Sequence, residues 1–253
     1  MDTEIDIKTH SDKDAPYFNK KRWGYKPEGI EDRNDTFEFI CEYINRFNGS
    51  TFSCLDLGAG PGMWCEYLVK EGCDKYVAID ISDKMLELCN ANKTIAHSFE
   101  IITHDLNDGL PVGLQSFDLI IAIHSLEYIV NIRPLLCDAM SLLKRNGIIV
   151  IVTKSKRAYI WRLYKFVFDL FASSKLAQKW RSRKDFDFLN CDLEYKYLNI
   201  RIPTMINNVN STYKFKGDGK KIRNFISRYI NPILKKLNII PFAWHIGIAL
   251  IKK

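Results

Sequence analysis

The sequence predicts an α/β fold, a mostly parallel sheet sandwiched by helices, with an inserted helical or irregular cover after the fifth strand. Three observations carry this prediction. Short apolar runs alternate with helix-spaced segments from about residue 34 to residue 153, the pattern of βαβ units. One of those runs, Phe52-Ser53-Cys54-Leu55, ends in Asp56-Leu57-Gly58-Ala59-Gly60-Pro61-Gly62 and turns at once into the helix-like Met63 to Leu68. Finally, 253 residues with 47% hydrophobic content suffice for one α/β unit with an insertion, and no second core is required.

Each element follows in order. Residues 1–33 are polar and aromatic, with Tyr17, Phe18, Trp23 and Tyr25 among lysines, and are expected to cap the mouth of a pocket. A first helix should start near Asp35, where Asp35-Thr36-Phe37-Glu38 has capping-box spacing and Phe37, Ile40, Cys41 and Ile44 share a face. Strands are expected at Phe52–Leu55, Lys75–Asp80, Ser98–Thr103, Phe117–Ile123 and Ile148–Val152, the last preceded by a helix end and a turn at Gly147. Residues 34–153 thus form the core, and residues 154–219 form a basic amphipathic helix with a cover. Within the cover, 185–219 is rich in Tyr, Asn and Phe without a clear period. Residues 220–253 complete the core, through a helix from Lys220 to Leu237 bent at Pro232 and an alternately apolar closing strand from Ala243 to Ile251.

In open parallel sheets, ligands sit beyond the carboxyl ends of the strands, where Gly58, Asp80, Asp105 and His124 would converge. Glycines at a strand-to-helix turn let bare backbone approach a nucleoside cofactor. The dinucleotide fingerprint needs glycine where Met63 stands, so the spacing is G-x-G-x-G instead. Asp80 follows about twenty residues later, the distance at which a carboxylate accepts both ribose hydroxyls. Blander readings exist at each place: a tight turn for the glycines, a helix cap for Asp80, and a turn with Asn107 and Gly109 for Asp105.

Taken in order, the glycine loop, Asp80, His104-Asp105-Leu106 and His124-Ser125-Leu126-Glu127-Tyr128 resemble the motifs of the class I, Rossmann-like S-adenosylmethionine-dependent methyltransferases, of the small-molecule and quinone-biosynthesis type. The resemblance covers roughly residues 34–153. It implies that S-adenosylmethionine is bound, and S-adenosylhomocysteine released, by Asp56, Gly58, Ala59, Gly60, Gly62, Asp80, Ile81, Asp105, Leu106 and His124. It implies in-line transfer of a methyl group to O or N of a small-molecule or lipid-linked acceptor, with no metal. If the acceptor is a hydroxyl, His124 is the best-placed base, since imidazole titrates near neutral pH, and His104 and His245 are further candidates. The absence of an N-P-P-Y or D-P-P-Y tetrapeptide and of a Pro-Cys dipeptide counts against amino-methylating and cytosine-methylating nucleic-acid enzymes.

The net charge of +7 is unevenly spread. Residues 154–184 hold six lysines and four arginines against Asp169, a net +9, and residues 214–236 hold a net +7, so the remainder is acidic. Such segments suit an anionic partner. Tyr159 to Phe171 puts Arg162, Lys165 and Asp169 on one helical face opposite a broad aromatic face. That profile fits either a lid over the acceptor or an interfacial helix on an anionic membrane. An RNA methyltransferase using the same basic face, and a catalytically silent cofactor-binding partner subunit, are the competing functions. Nucleic acid is the least favoured partner, and the oligomeric state is open. The polar amino terminus lacks an apolar h-region and no run is long enough to span a bilayer, so the expected location is the cytoplasm, with the inner membrane face as an extension. Seven scattered cysteines without a C-x-x-C pair read as reduced thiols.

Overall fold

The computed structural model describes residues 6–18, 27–91, 98–159, 179, 181–189, 191–200, 226–240 and 243–252. A seven-stranded sheet runs in the order β3-β2-β1-β4-β5-β7-β6. The strands are β1 Phe52–Leu57, β2 Cys73–Asp80, β3 Ser98–Thr103, β4 Phe117–Ile123, β5 Leu143–Lys154, β6 Asp192–Ile200 and β7 Ala243–Ile251. The first five are parallel, and β7 pairs antiparallel with both β5 and β6. Strand order reverses at β1, with β2 on one side and β4 on the other, which opens a crevice at their carboxyl ends.

Every residue of β1 is buried, as expected of a central parallel strand covered on both faces. Alternate residues serve two cores. Cys54, Tyr76, Ile121 and Val150 pack with Phe39 and Ile40 of α2 (Pro27–Ile44), Trp64 and Leu68 of α3 (Met63–Lys70) and Leu86 of α4 (Asp83–Ala91). Leu55, Ile120, Ile149 and Ile248 face the other way, against Leu135, Leu136 and Ala139 of α5 (Ile132–Ser141) and against Phe186. Gly247 of β7 lets Phe39 lie directly on the sheet, since a Cβ there would come within 2.6 Å of the ring.

The structure departs from expectation in four places. Helix α2 begins at Pro27, not near Asp35, because proline is suited to the first helical position; Asp35 instead accepts from Lys235 at 2.5 Å. Strand β5 begins at Leu143, with an irregular stretch in which Asn146 adopts φ +62° before pairing resumes at Ile148. Residues 192–200, expected within an aperiodic cover, form the edge strand β6, with Leu193 and Tyr197 packed toward the core. On its other face Glu194 and Lys196 pair with Arg46 and Glu42, at 2.8 and 2.5 Å. Last, the expected helix of 220–237 is described only from Ile226, and it changes type next to Pro232. Among the described residues a π-turn over Ile226–Ile230 leads into α6 (Asn231–Lys236), and Pro232 sits in its first turn, where a missing N–H costs nothing. The expected helix of 159–171 lies outside the described residues except for Tyr159. Among the described residues no helix is long and apolar enough to cross a membrane.

Candidate active site

The glycine loop is built by backbone geometry. Gly58, Gly60 and Gly62 have φ of +78°, +54° and +76°, the left-handed region that side chains disfavour. Gly58 and Ala59 both donate to the carbonyl of Ile79, at 2.8 and 2.9 Å, which ties the loop to the end of β2. A Cβ on Gly58 would stand 2.3 Å from that of Ser125, and one on Gly62 would stand 2.4 Å from the Cys89 sulfur. The first contact locks the loop against the segment after β4, and the second seats it on α4.

Asp80, only 9% exposed, bridges the loop and the next helix. One carboxylate oxygen accepts from Gly60 N–H at 2.8 Å and the other from Ser82 N–H at 2.9 Å. Burial raises its pKa, opposed by those N–H donors. The cap reading of Asp80 is thus present in the geometry, yet a carboxylate has about four acceptor positions and retains capacity for a ligand. Asp105 caps the turn Leu106–Asp108, accepting from the Asn107 amide at 2.9 Å. Asn107 in turn accepts from Val130 N–H at 2.9 Å, joining this turn to the segment after β4.

Gly58, Ala59, Gly60, Asp80, Ile81, Asp105, Leu106 and His124 line one cavity of about 340 Å³. Asp56 and Gly62 do not line it. Asp56 is 1% exposed beneath the loop and accepts from the buried Tyr76 hydroxyl; burial pushes its pKa up to about 7. Gly62 faces Cys89. Both shape the loop from behind and neither is positioned to touch what fills the cavity.

The roof of the cavity is α1 (Ile7–Asp14), whose Ile7, His10, Ser11 and Asp14 line it together with Phe18. No residue of α1 is buried, and it docks through polar contacts: Lys8 to Asp83 at 2.6 Å, and the Ser82 hydroxyl to Asp12 at 2.5 Å. The sequence placed the amino-terminal segment over the pocket without indicating a helix.

The floor lies at the carboxyl ends of β4 and β5 and the start of β7. His124 takes φ +59° as β4 ends, and its N–H donates to Val152 at 2.8 Å. Glu127 is 2% exposed, with one oxygen 3.3 Å from His124 Nδ1 and the other 3.3 Å from Lys154 Nζ. His245, fully buried, lies against His124 with ring centroids 4.2 Å apart. His104 lines the cavity elsewhere and engages the Gly109 carbonyl at 3.1 Å. Sequence reasoning missed Glu127 and Lys154. Lys154 read as one cation of a basic run, and its signal was its place at the carboxyl end of a core strand.

The base of the insertion grips this floor. Arg181, 8% exposed, donates to the carbonyls of Leu126 and Ile129 at 3.2 and 2.7 Å. Lys179 N–H donates to the Glu127 carbonyl at 2.7 Å, and Arg181 N–H to that of Lys154 at 2.8 Å. Lys156 and Arg183 pair with Asp185 and Asp187, at 2.9 and 3.6 Å. Several cations at the two ends of the basic segment therefore serve internal contacts; residues 160–178 lie outside the described set.

A crevice at the sheet's switch point, lined by a glycine loop and a strand-end carboxylate, lies where open parallel sheets take their ligands. Residues 55–151 match the family model described as "Methyltransferase domain". Residues 55–151 are a methyltransferase domain. Over 98 residues, 38% of the chain, it is 36% identical to the demethylmenaquinone methyltransferase of Tropheryma whipplei strain Twist, and this match spans 39% of that relative's length. The methyltransferase fold is also that of a chain in the complex between the Haloferax volcanii Trm112 methyltransferase activator and a methyltransferase, with TM-score 0.62, 16% identity, and coverage of 96% and 98% of the two chains. Magnesium protoporphyrin IX methyltransferase from Synechocystis, solved with S-adenosylhomocysteine, gives TM-score 0.59 and 13% identity, covering 98% of this chain and 100% of its own. In the methyltransferase domain the residues present fit S-adenosylmethionine: an open backbone cradle at Gly60, and a buried acceptor at Asp80 aimed into the cavity.

Proposed function

We propose that the protein methylates a hydroxyl oxygen of a small-molecule or lipid-linked acceptor. Gly58, Ala59 and Gly60 would hold the cofactor by backbone, Asp80 would accept its ribose hydroxyls, and Asp105 and Leu106 would border its base. S-adenosylmethionine supplies a methyl group on a sulfonium, whose sulfur keeps the electron pair of the broken bond. What this chain adds is position, exclusion of water beneath α1, and removal of the acceptor's proton. The observation that carries the hydroxyl reading is the buried His124–Glu127 contact at the cavity floor. A neutral amine acceptor needs no base, whereas a hydroxyl does. An imidazole base suits a phenolic or enolic hydroxyl, whose acidity is near that of tyrosine at about 10, far better than an aliphatic alcohol. The similarity to a demethylmenaquinone methyltransferase supports a small-molecule acceptor.

Calorimetry with S-adenosylhomocysteine tests the cofactor assignment, and Asp80→Asn should weaken binding more than about tenfold through loss of charge-assisted hydrogen bonds. Incubation of the protein with methyl-deuterated S-adenosylmethionine and a small-molecule extract should give labelled aryl or enol ethers. Labelled amines in their place would overturn the hydroxyl reading.

A further inference from the structure

Three strand ends bring a compact charged cluster to the cavity floor. His124 directly follows β4, Lys154 closes β5, and His245 of β7 is the register partner of Lys154. Glu127 stands among them, bridging His124 Nδ1 and Lys154 Nζ at 3.3 Å each. The side chains of His124, Glu127 and Lys154 are 9%, 2% and 8% exposed, and the Lys154 ammonium lies 5.7 Å from the Trp244 ring centroid. A buried carboxylate or ammonium is tolerated only when paired, and these two neutralise each other.

That pairing fixes the chemistry of His124. A Glu127 carboxylate balanced by Lys154 is ionised, and an ionised carboxylate can only accept hydrogen bonds. The hydrogen in the His124–Glu127 contact must then sit on Nδ1, which leaves the lone pair on Nε2. We infer that Glu127 and Lys154 are positioning residues that hold His124 in its Nδ1–H tautomer and set how readily Nε2 takes a proton. This rests on the proposed hydroxyl acceptor. As the acceptor's O–H bond breaks, its electron pair remains on oxygen to form the new bond to carbon, and the proton goes to Nε2, which is buried in this structure and has to be uncovered as the acceptor enters. The resulting imidazolium is stabilised by Glu127 through Nδ1–H, and the proton passes to water once product has left. Lys154 competes for the same carboxylate, so it limits that stabilisation and keeps the imidazolium acidic enough to be reset. His245, tilted against the His124 ring with centroids 4.2 Å apart, disfavours a second cation beside the first, which confines the proton to His124.

His124, Glu127 and His245 also have the composition of a metal site, with ligand atoms within 4.8 Å of one another. Lys154 argues against that use, because its ammonium already occupies the cationic side of Glu127, and a divalent ion would stand beside it.

Ring-nitrogen NMR on histidine-labelled protein tests the arrangement without an acceptor, with His124 assigned by comparison with His124→Gln. In the unaltered protein the neutral His124 ring should show the Nδ1–H pattern. Lys154→Met should raise its titration midpoint, and Glu127→Gln should lower it, each by about one pH unit. These opposite shifts are not expected of residues that merely fill space. Should Glu127→Gln fail to fold, the unaltered protein and Lys154→Met still decide the matter. An Nε2–H pattern, a midpoint unmoved or lowered in Lys154→Met, or stoichiometric Zn²⁺ shifting the His124 and His245 resonances together, would each overturn the inference. Calorimetry with S-adenosylhomocysteine on the same samples separates the two failures. Retained binding with a failed NMR result rejects the positioning role alone, while absent binding to the unaltered protein rejects the cofactor assignment.

Discussion

The floor and the roof of the cavity are made by opposite means. The floor is cut into the sheet: His124, Glu127, Lys154 and His245 lie at or beside three strand ends and are almost wholly buried, with Arg181 fastening the loop that carries Glu127. The roof, α1, buries none of its residues and is latched by polar contacts at the surface. Burial makes an interaction expensive to break, because a polar group left unpaired in a low-dielectric site keeps its desolvation cost, while an exposed group returns to water. Disturbing the floor should therefore cost stability first. Disturbing the roof should cost ligand affinity with the fold intact.

The largest effect should come from Gly58→Ala. The new Cβ would have to enter space held by the Ser125 side chain, at a backbone angle of φ +78°. Left-handed strain and overpacking together should destabilise the protein by about 3 kcal/mol, read as a shift in the urea midpoint. If Gly58→Ala is as stable as the unaltered protein, the loop and floor are not locked together as described. Next comes Arg181→Met, which keeps the apolar stem and removes both donors to Leu126 and Ile129. It should cost about 2 kcal/mol and speed amide exchange across residues 124–129.

How much of this contrast was legible in the sequence depends on where the determining physics lies. The glycine loop and Asp80 could be read because a left-handed turn and a strand-end carboxylate are local requirements that one segment satisfies by itself. The floor could be read only in part. His124 follows β4 directly, but its relation to Lys154 and His245 depends on the β5–β7 register, thirty and more than a hundred residues away. Strand β6 escaped because its exposed face carries Glu194 and Lys196, whose pairing with Arg46 and Glu42 at the end of α2 and just beyond it is a tertiary matter, and its tyrosines do not mark a face as leucines would. Asp56 was placed among the cofactor ligands by the motif it belongs to. Only the packing shows it turned away, beneath the loop and against Tyr76.

That buried Asp56 sharpens the comparison through pH. Burial lifts its pKa from an ordinary value of 3.8 to about 7, so between those values the folded protein holds a proton that the unfolded chain has released. Stability from this group must then fall as pH rises from about 4 to about 7 and stay low above that. Asp56→Asn, which still offers an acceptor to Tyr76, should remove this fall and raise the melting temperature at about pH 8 relative to the unaltered protein, with a smaller gain at about pH 5. A decline of the same steepness in both proteins would place the titrating group elsewhere.

The smallest effect on stability, and the most telling for the roof, belongs to Lys8→Ala. The Lys8–Asp83 pair is short at 2.6 Å, yet its side chains are 40% and 57% exposed, so solvent competes for both. The melting temperature should not move measurably. Asp83 lies at the start of α4, three residues beyond Asp80, and Ser82 between them both donates its N–H to Asp80 and holds Asp12 of α1. The latch therefore reaches Asp80 through one backbone turn. Releasing it frees a helix that borders the ligand, so binding must bear the entropy of ordering that helix anew. S-adenosylhomocysteine affinity should fall a few-fold, chiefly through faster dissociation. Unchanged dissociation in Lys8→Ala would mean that α1 covers the cavity without closing it. A fall in melting temperature as large as that of Arg181→Met would instead make roof and floor one cooperative unit.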